Sequence, residues 1–238
     1  MIKVDRLVKS FNHEKVLDGV SFEIRKGEVA VIMGSSGTGK SVLLLHLIGL
    51  MSPDAGTIEI DGTEITALDE HRLLGFRRNI GYLFQEGALY DFMTVFENVA
   101  FPLREHAGMK AGAVRDKVEA YLKLVDMDGT GDKYPAELSG GMKKRVALAR
   151  ALIMDTKVLL CDEPTSGLDP VRSRDISLLI RGLSKKMNTT TVVTSHDIAN
   201  SFRLADRSFI LNEGRIAAEG KEEDLRRSGD PFVKEFLG

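Results

Sequence analysis

Apolar residues along this chain fall into two kinds of pattern, short continuous runs and helical stripes, and the two alternate. Val29–Met33 reads VAVIM, five apolar residues in a row, the mark of a strand covered on both faces. Ile2–Val8 and Val20–Ile24 alternate in part, and Ile80–Phe84 is a further short strand candidate. Gly56–Ile60 and Thr63–Ile65 flank Asp61-Gly62, a dipeptide suited to a tight hairpin turn. A helix is expected from Lys40 to Gly49. From about Glu86 to Asp155 the pattern is helical: Val95–His106, Ala113–Val125 and Gly140–Met154, broken by Gly108, Gly112, Gly129 and Gly131. In the third of these, Met142, Val146, Ala149 and Ile153 share one face. Strand runs return at Val158–Cys161, Thr190–Thr194 and Ser208–Leu211, with helices at Val171–Met187 and Ile198–Leu204 between them. Strand alternating with helix predicts an α/β fold with a parallel sheet, interrupted by an all-helical insertion at 86–155.

Composition narrows the classes. At 238 residues the chain suits one large domain or a domain with an insertion. Thirty-three basic against 35 acidic residues give a formal charge of −2, which argues against a dedicated nucleic-acid binder. A single cysteine, Cys161, excludes an internal disulfide framework and suits a reducing compartment. The most apolar stretch, Val42–Met51, has a histidine inside it and is about half of the roughly 20 residues a membrane span needs. The start, MIKVDRLVKSF, has no apolar core of the kind a secretion signal carries. Glycine, at 23 residues, is above the usual share of about 7%.

Those glycines cluster where chemistry is expected. Gly34-Ser35-Ser36-Gly37-Thr38-Gly39-Lys40-Ser41 fits G-x-x-x-x-G-K-[ST], placed after a buried strand and before a helix. Glycines let such a loop turn its N–H groups toward phosphates, and the helix that follows adds its positive end. Lys40 would offset β/γ-phosphate charge, and the Ser41 hydroxyl would ligate Mg²⁺. Val158–Cys161 ends in Asp162-Glu163, an acidic pair at the carboxyl end of a buried strand, where ligands bind in open α/β sheets. Asp162 is the candidate for Mg²⁺, direct or through water, and Glu163 for polarising an attacking water. Ser139 is a good N-cap, and the glycine pair after it suits close approach of an anion.

Gly34–Ser41, Gln85, LSGGM at 138–142, LLCDEP at 159–164, SGLD at 166–169 and His196 stand in one order along nearly the whole chain. That set resembles the nucleotide-binding subunit of ABC transporters. The resemblance implies a P-loop NTPase (RecA-like) core with an antiparallel β subdomain and an inserted helical subdomain. It implies a single domain, 1–238, with residues 1–85 and 156–238 forming the core and 86–155 the helical subdomain. Two such domains would sandwich ATP, with Mg²⁺, between one copy's phosphate loop (Gly34 to Val42) and the other's Ser139, Gly140, Gly141 and Met142. By the same resemblance Gln85 would touch Mg²⁺ and the water, Glu163 would be the general base, and His196 would contact the γ-phosphate. Asp169 would lie at the dimer seam, and Phe11 and Val16 would pack on adenine and ribose. The other four histidines, His13, His46, His71 and His106, form no metal pair with one another or with His196. Lys143-Lys144-Arg145 reads as the solvated side of its helix, and Cys161 as inert packing.

The stretch Gln85–His106, the Met after the glycine pair and the ending Asp230–Leu237 resemble the ATPases of Mce-type lipid transport systems, the Mla or lipid-asymmetry branch. Glu86 stands where a small residue is common. This likeness implies a phospholipid cargo, a membrane permease dimer, an Mce-domain lipid-binding protein and a STAS-type protein as partners. It places the chain peripherally at the cytoplasmic side of the inner membrane. The alternatives are the ATPase of a small-solute importer and a soluble ABC-type ATPase of ribosome or DNA function. Against the last, there is one copy of each motif and no coiled coil or zinc module.

Overall fold

The computed structural model describes all 238 residues, Met1–Gly238, as two sheets with helices around them. In chain order the strands are β1 (Ile2–Phe11), β2 (Glu14–Ile24), β3 (Val29–Met33), β4 (Ala55–Ile60), β5 (Thr63–Glu64), β6 (Ile80–Leu83), β7 (Val158–Asp162), β8 (Thr190–Ser195), β9 (Arg207–Asn212) and β10 (Arg215–Gly220). The α-helices are α1 (Lys40–Leu47), α2 (Glu70–Arg77), α3 (Val95–His106), α4 (Ala111–Leu124), α5 (Gly140–Leu152), α6 (Pro170–Met187), α7 (Ile198–Leu204), α8 (Glu222–Arg226) and α9 (Pro231–Leu237). No helix is long and apolar enough to cross a membrane.

The larger sheet runs β10-β9-β3-β8-β7-β6, parallel except for β10 on its edge. Its central strands have side chains in two different cores, which explains their unbroken apolar runs. From β3, Val29, Val31 and Met33 join a core shared with α3 to α7, while Ala30 and Ile32 join a core shared with the second sheet. In β7, Leu159 and Cys161 go the first way and Val158 and Leu160 the second. The second sheet, β2-β1-β4-β5, is antiparallel throughout. Its Ile2, Val4, Ile24 and Ile58 close over the second core, which α1 enters through Leu43, Leu44 and Leu47.

Helices α3, α4 and α5 all lie between β6 and β7 in the chain. Helix α3 opens on a capping box: Thr94 accepts from the Glu97 N–H at 3.2 Å and Glu97 from the Thr94 N–H at 2.9 Å. Several bounds differ from the sequence reading. Strand β2 starts at Glu14, six residues early, because the tight reversal at Asn12-His13, both at positive φ, pairs it with β1 over its whole length. Helix α1 stops at Leu47, before Gly49 at φ 70°. Phe84 lies outside β6, Ile65 belongs to a 3₁₀ turn, and α5 ends at Leu152. Helices α2, α8 and α9 and strand β10 had no sequence signal strong enough to name.

Strand β6 passes beneath the end of α5 so closely that a Cβ on Gly81 would lie 2.2 Å from the Ala151 carbonyl oxygen. Gly81→Ala is expected to destabilise the protein by about 2–3 kcal/mol, since backbone would have to shift on both sides. Gly75→Ala, in α2 where an added Cβ meets nothing within 4 Å, should instead be neutral or stabilising. Urea unfolding of the two variants beside wild type checks both signs.

Candidate functional site

The parallel register puts the ends of β3, β7 and β8 side by side: Met33 pairs Ser195, and Asp162 pairs Thr194. The segments that follow, from Gly34, Glu163 and His196, therefore meet at one edge of the sheet. Gly34 must be glycine, since its Cβ would sit 2.6 Å from the Leu211 carbonyl oxygen. Gly37 and Gly39 take φ of 83° and 95°, which wraps the loop and delivers the chain into α1. The first-turn N–H groups of α1, at Lys40, Ser41 and Val42, have no helical carbonyl four residues back to bond.

Lys40 is 6% exposed, and its ammonium donates to the Gly34 and Ser35 carbonyls at 2.8 and 2.9 Å. It also lies 3.4 Å from a Glu163 carboxylate oxygen. The other Glu163 oxygen is 2.8 Å from His196 Nδ1. Glu163 sits at φ 44°, a turn out of the strand that sends its carboxylate away from Asp162 and toward Lys40. Asp162 Oδ1 accepts from the Ser41 hydroxyl at 3.0 Å and from the Thr194 hydroxyl at 2.7 Å. Thr194 in turn accepts from the Glu163 N–H at 3.1 Å. A single β8 hydroxyl thus orients both acids, a role the sequence reading missed.

Phe11, Val16, Ser36, Gly37, Gly39, Lys40, Ser41, Val42, Gln85, Glu163 and His196 line one cleft of about 440 Å³. Phe11 is 40% exposed, and Lys9 Nζ stands 5.6 Å from its ring centroid. Gln85 Nε2 donates to the Ser166 hydroxyl at 3.2 Å. Ser35 and Thr38 belong to the same loop, where the Thr38 hydroxyl donates to the Ser35 carbonyl at 2.9 Å. Ser139, Gly140, Gly141 and Met142 do not line this cleft. They open α5, with Ser139 and Gly140 exposed and the Ser139 hydroxyl accepting from the Met142 N–H at 3.4 Å. Asp169 caps α6, accepting from the Val171 and Arg172 N–H groups. These hydrogen bonds, with the charge of Arg172 beside it, hold its carboxyl below the usual carboxylate range.

The expectation of a solvated Lys143-Lys144-Arg145 face is overturned. Lys144 is 6% exposed and donates to the Gln85 carbonyl, and Arg145 donates to the Val125 carbonyl at 2.9 Å. Burial pulls the Lys144 ammonium below its ordinary range, with Glu86, Asp162 and Glu163 nearby pulling it back. Cys161 is fully buried in β7, and burial pushes its thiol up, out of reach of thiolate chemistry. Burial, then the charge of Asp162, likewise holds the Tyr82 phenol above its ordinary range.

Over residues 17–166 the sequence matches the ABC transporter family. The match spans the phosphate loop, the Gln85 segment, the start of α5 and the β7 acids. The chain belongs to the ABC transporter family. It is 43% identical over 236 residues to the probable ribonucleotide transport ATP-binding protein mkl of Mycobacterium leprae, covering 99% of this chain and 68% of that one. It is 38% identical to the intermembrane phospholipid transport system ATP-binding protein MlaF of Haemophilus influenzae, covering all of this chain and 90% of that one. A solved ATP-binding cassette dimer in a post-hydrolysis state, bound to ADP and phosphate, superposes with a TM-score of 0.85 at 33% identity, covering 93% of this chain and 98% of that one. This ABC protein is accordingly an ATP-binding ATPase built on the P-loop NTPase fold.

The residues present fit both nucleotide and metal. The glycine cradle leaves its backbone open to phosphate, and the Ser41 hydroxyl and Asp162 carboxylate, 3.0 Å apart, are hard oxygen donors of the type Mg²⁺ takes.

Proposed function

We propose that this chain is the ATP-hydrolysing subunit of a transporter that moves phospholipid between bacterial membranes. Two copies would work beneath a separate permease dimer on the cytoplasmic side of the inner membrane. The hydrolytic half of the reading rests on the Lys40–Glu163–His196 and Ser41–Asp162–Thr194 contacts. The cargo rests on the likeness to the phospholipid-system ATPase, which runs the full length of this chain.

In this reading Phe11 and Val16 pack on adenine and ribose, and the segment from Gly34 to Val42, with Ser35, Ser36 and Thr38, wraps the phosphates. The Lys40 ammonium moves its attention from the loop carbonyls to β/γ-phosphate oxygens. Ser41, Asp162 and Gln85 hold Mg²⁺, which when bound draws charge from the phosphate oxygens. Glu163 takes a proton from water as the water oxygen bonds to the γ-phosphorus. The bond from that phosphorus to the β–γ bridging oxygen breaks, leaving ADP and inorganic phosphate. His196, bonded to Glu163, aims that carboxylate and meets the γ-phosphate. Ser139, Gly140, Gly141 and Met142 face the ATP of the second copy, where the N-terminus of α5 favours anionic oxygens, and Asp169 stands at the seam between copies.

We divide the chain into a core, 1–85 and 156–238, and a helical subdomain, 86–155. Between the two parts lies a groove of about 640 Å³ whose lining includes Leu74, Phe84, Tyr90, Phe101 and Met154. Arg77, Arg78 and Arg150 share that lining, so it suits a short amphipathic helix of the permease. An Mce-domain lipid-binding protein and a STAS-type protein complete the proposed assembly.

A second reading, the ATPase of a small-solute importer, draws on the name of the mycobacterial relative, which is assigned to ribonucleotide transport. Mass spectrometry of the complex purified through a tag on this chain separates the two. A permease, an Mce-domain subunit and retained phospholipid are expected. A solute receptor with no retained lipid would overturn the phospholipid reading and leave the ATPase reading standing.

A further inference from the structure

Helix α5 carries two cations turned away from its exposed start and onto the segment that follows β6. Lys144 donates to the Gln85 carbonyl. Arg150, six residues on, donates to the Gly87 and Ala88 carbonyls, each at 2.7 Å. Between them Ala147 packs so close that a Cβ on Gly87 would lie 3.4 Å from the Ala147 Cβ. Positions 144, 147 and 150 follow one another at intervals of three and so share a helix face. Gly87 and Ala88 both take positive φ, 77° and 48°, which folds the segment back against the helix instead of letting it continue as strand.

The pairing is one-sided in an informative way. An ammonium buried to 6% exposure is costly without a partner. The Gln85 carbonyl is its one hydrogen-bond acceptor. Movement of α5 away from Gln85 would leave both groups unsatisfied, so the two are held to move together. The exposed end of this same helix is Ser139-Gly140, with Ser139 five residues before Lys144.

We propose that Lys144 is a positioning residue that ties the Gln85 segment to α5, so that seating Ser139–Gly141 on the second copy's ATP also sets Gln85 in its own copy's cleft. The tie couples the two nucleotide sites of a dimer through one helix in each copy. This rests on the role given to Gln85 above.

The test uses the complex purified through a tag on this chain, with Lys144→Met, Lys144→Arg and Gln85→Ala beside wild type. Lys144→Met should lower kcat for ATP about tenfold while leaving KM within about twofold, the split expected when ground-state binding is intact. In the nucleotide-free complex it should also speed hydrogen exchange of residues 84–91 by about tenfold, with exchange in α6 and β3 unchanged. Lys144→Arg, which keeps a cation on the helix, should restore both readouts most of the way. The proposal is overturned if Lys144→Met leaves kcat and the exchange of 84–91 at wild-type values. It is also overturned if exchange rises throughout α5 and Arg does not rescue it, which would mark a purely structural lysine. If Gln85→Ala keeps wild-type kcat, the role of Gln85 fails instead, while the exchange at 84–91 in Lys144→Met still reports the tie.

Discussion

Glu163→Gln is expected to lower ATP hydrolysis by about a hundredfold to ten-thousandfold, the range over which a positioned general base acts. Glutamine keeps the shape of the side chain and can still meet His196, but it has no lone carboxylate charge with which to take a proton from water. Nucleotide binding should survive, since Lys40 and the glycine loop are unchanged and the substitution removes a negative charge beside Lys40, where the phosphates must approach. Phosphate release measured at saturating ATP, beside calorimetric ATP affinity, separates the two effects. A variant that hydrolyses at the wild-type rate would remove Glu163 from its role, and one that no longer binds ATP would assign it to the ground state.

The second large effect falls on binding. Lys40→Ala should weaken ATP affinity at least about thirtyfold, the scale seen when one member of a buried charge pair is removed. Two consequences of the geometry add. The phosphates lose their nearest cation, and Glu163, whose other neighbour is His196, keeps a carboxylate in a place that phosphate oxygens must approach. The double variant Lys40→Ala with Glu163→Gln should therefore bind ATP more tightly than Lys40→Ala alone. Calorimetry on the pair checks this sign, with circular dichroism to show that both remain folded. Equal affinities would mean that Glu163 does not repel the incoming phosphates.

What could be read from the sequence depended on how each residue's burial shows in its neighbours. Val29–Met33 and Val158–Cys161 were legible because strands covered on both faces need unbroken apolar runs, and the two cores confirm why. Helix α2 was not, because none of its residues is buried and it has no apolar stripe to betray it. Strand β10 lies on a sheet edge with alternating half-buried and exposed positions, too weak a pattern to name. At the cleft, the glycine loop and the acidic strand end carried the signal, because their chemistry demands particular residue types at fixed spacing. Lys144 and Thr194 carried none. A lysine between two basic neighbours reads as solvent-facing, and a threonine in a buried strand reads as packing. Only the register of β7 against β8, and the return of the chain after β6 onto α5, turn those two into partners of the acids and of Gln85.

At the centre of this account is a nucleotide cleft that a second copy of the chain completes. Sedimentation of the Glu163→Gln protein with saturating ATP and Mg²⁺ tests it most directly. A species of twice the 26.2 kDa chain mass is expected, lost when ATP is withheld and lost again when Lys40→Ala is added. A protein that binds ATP yet stays at the mass of one chain would contradict it.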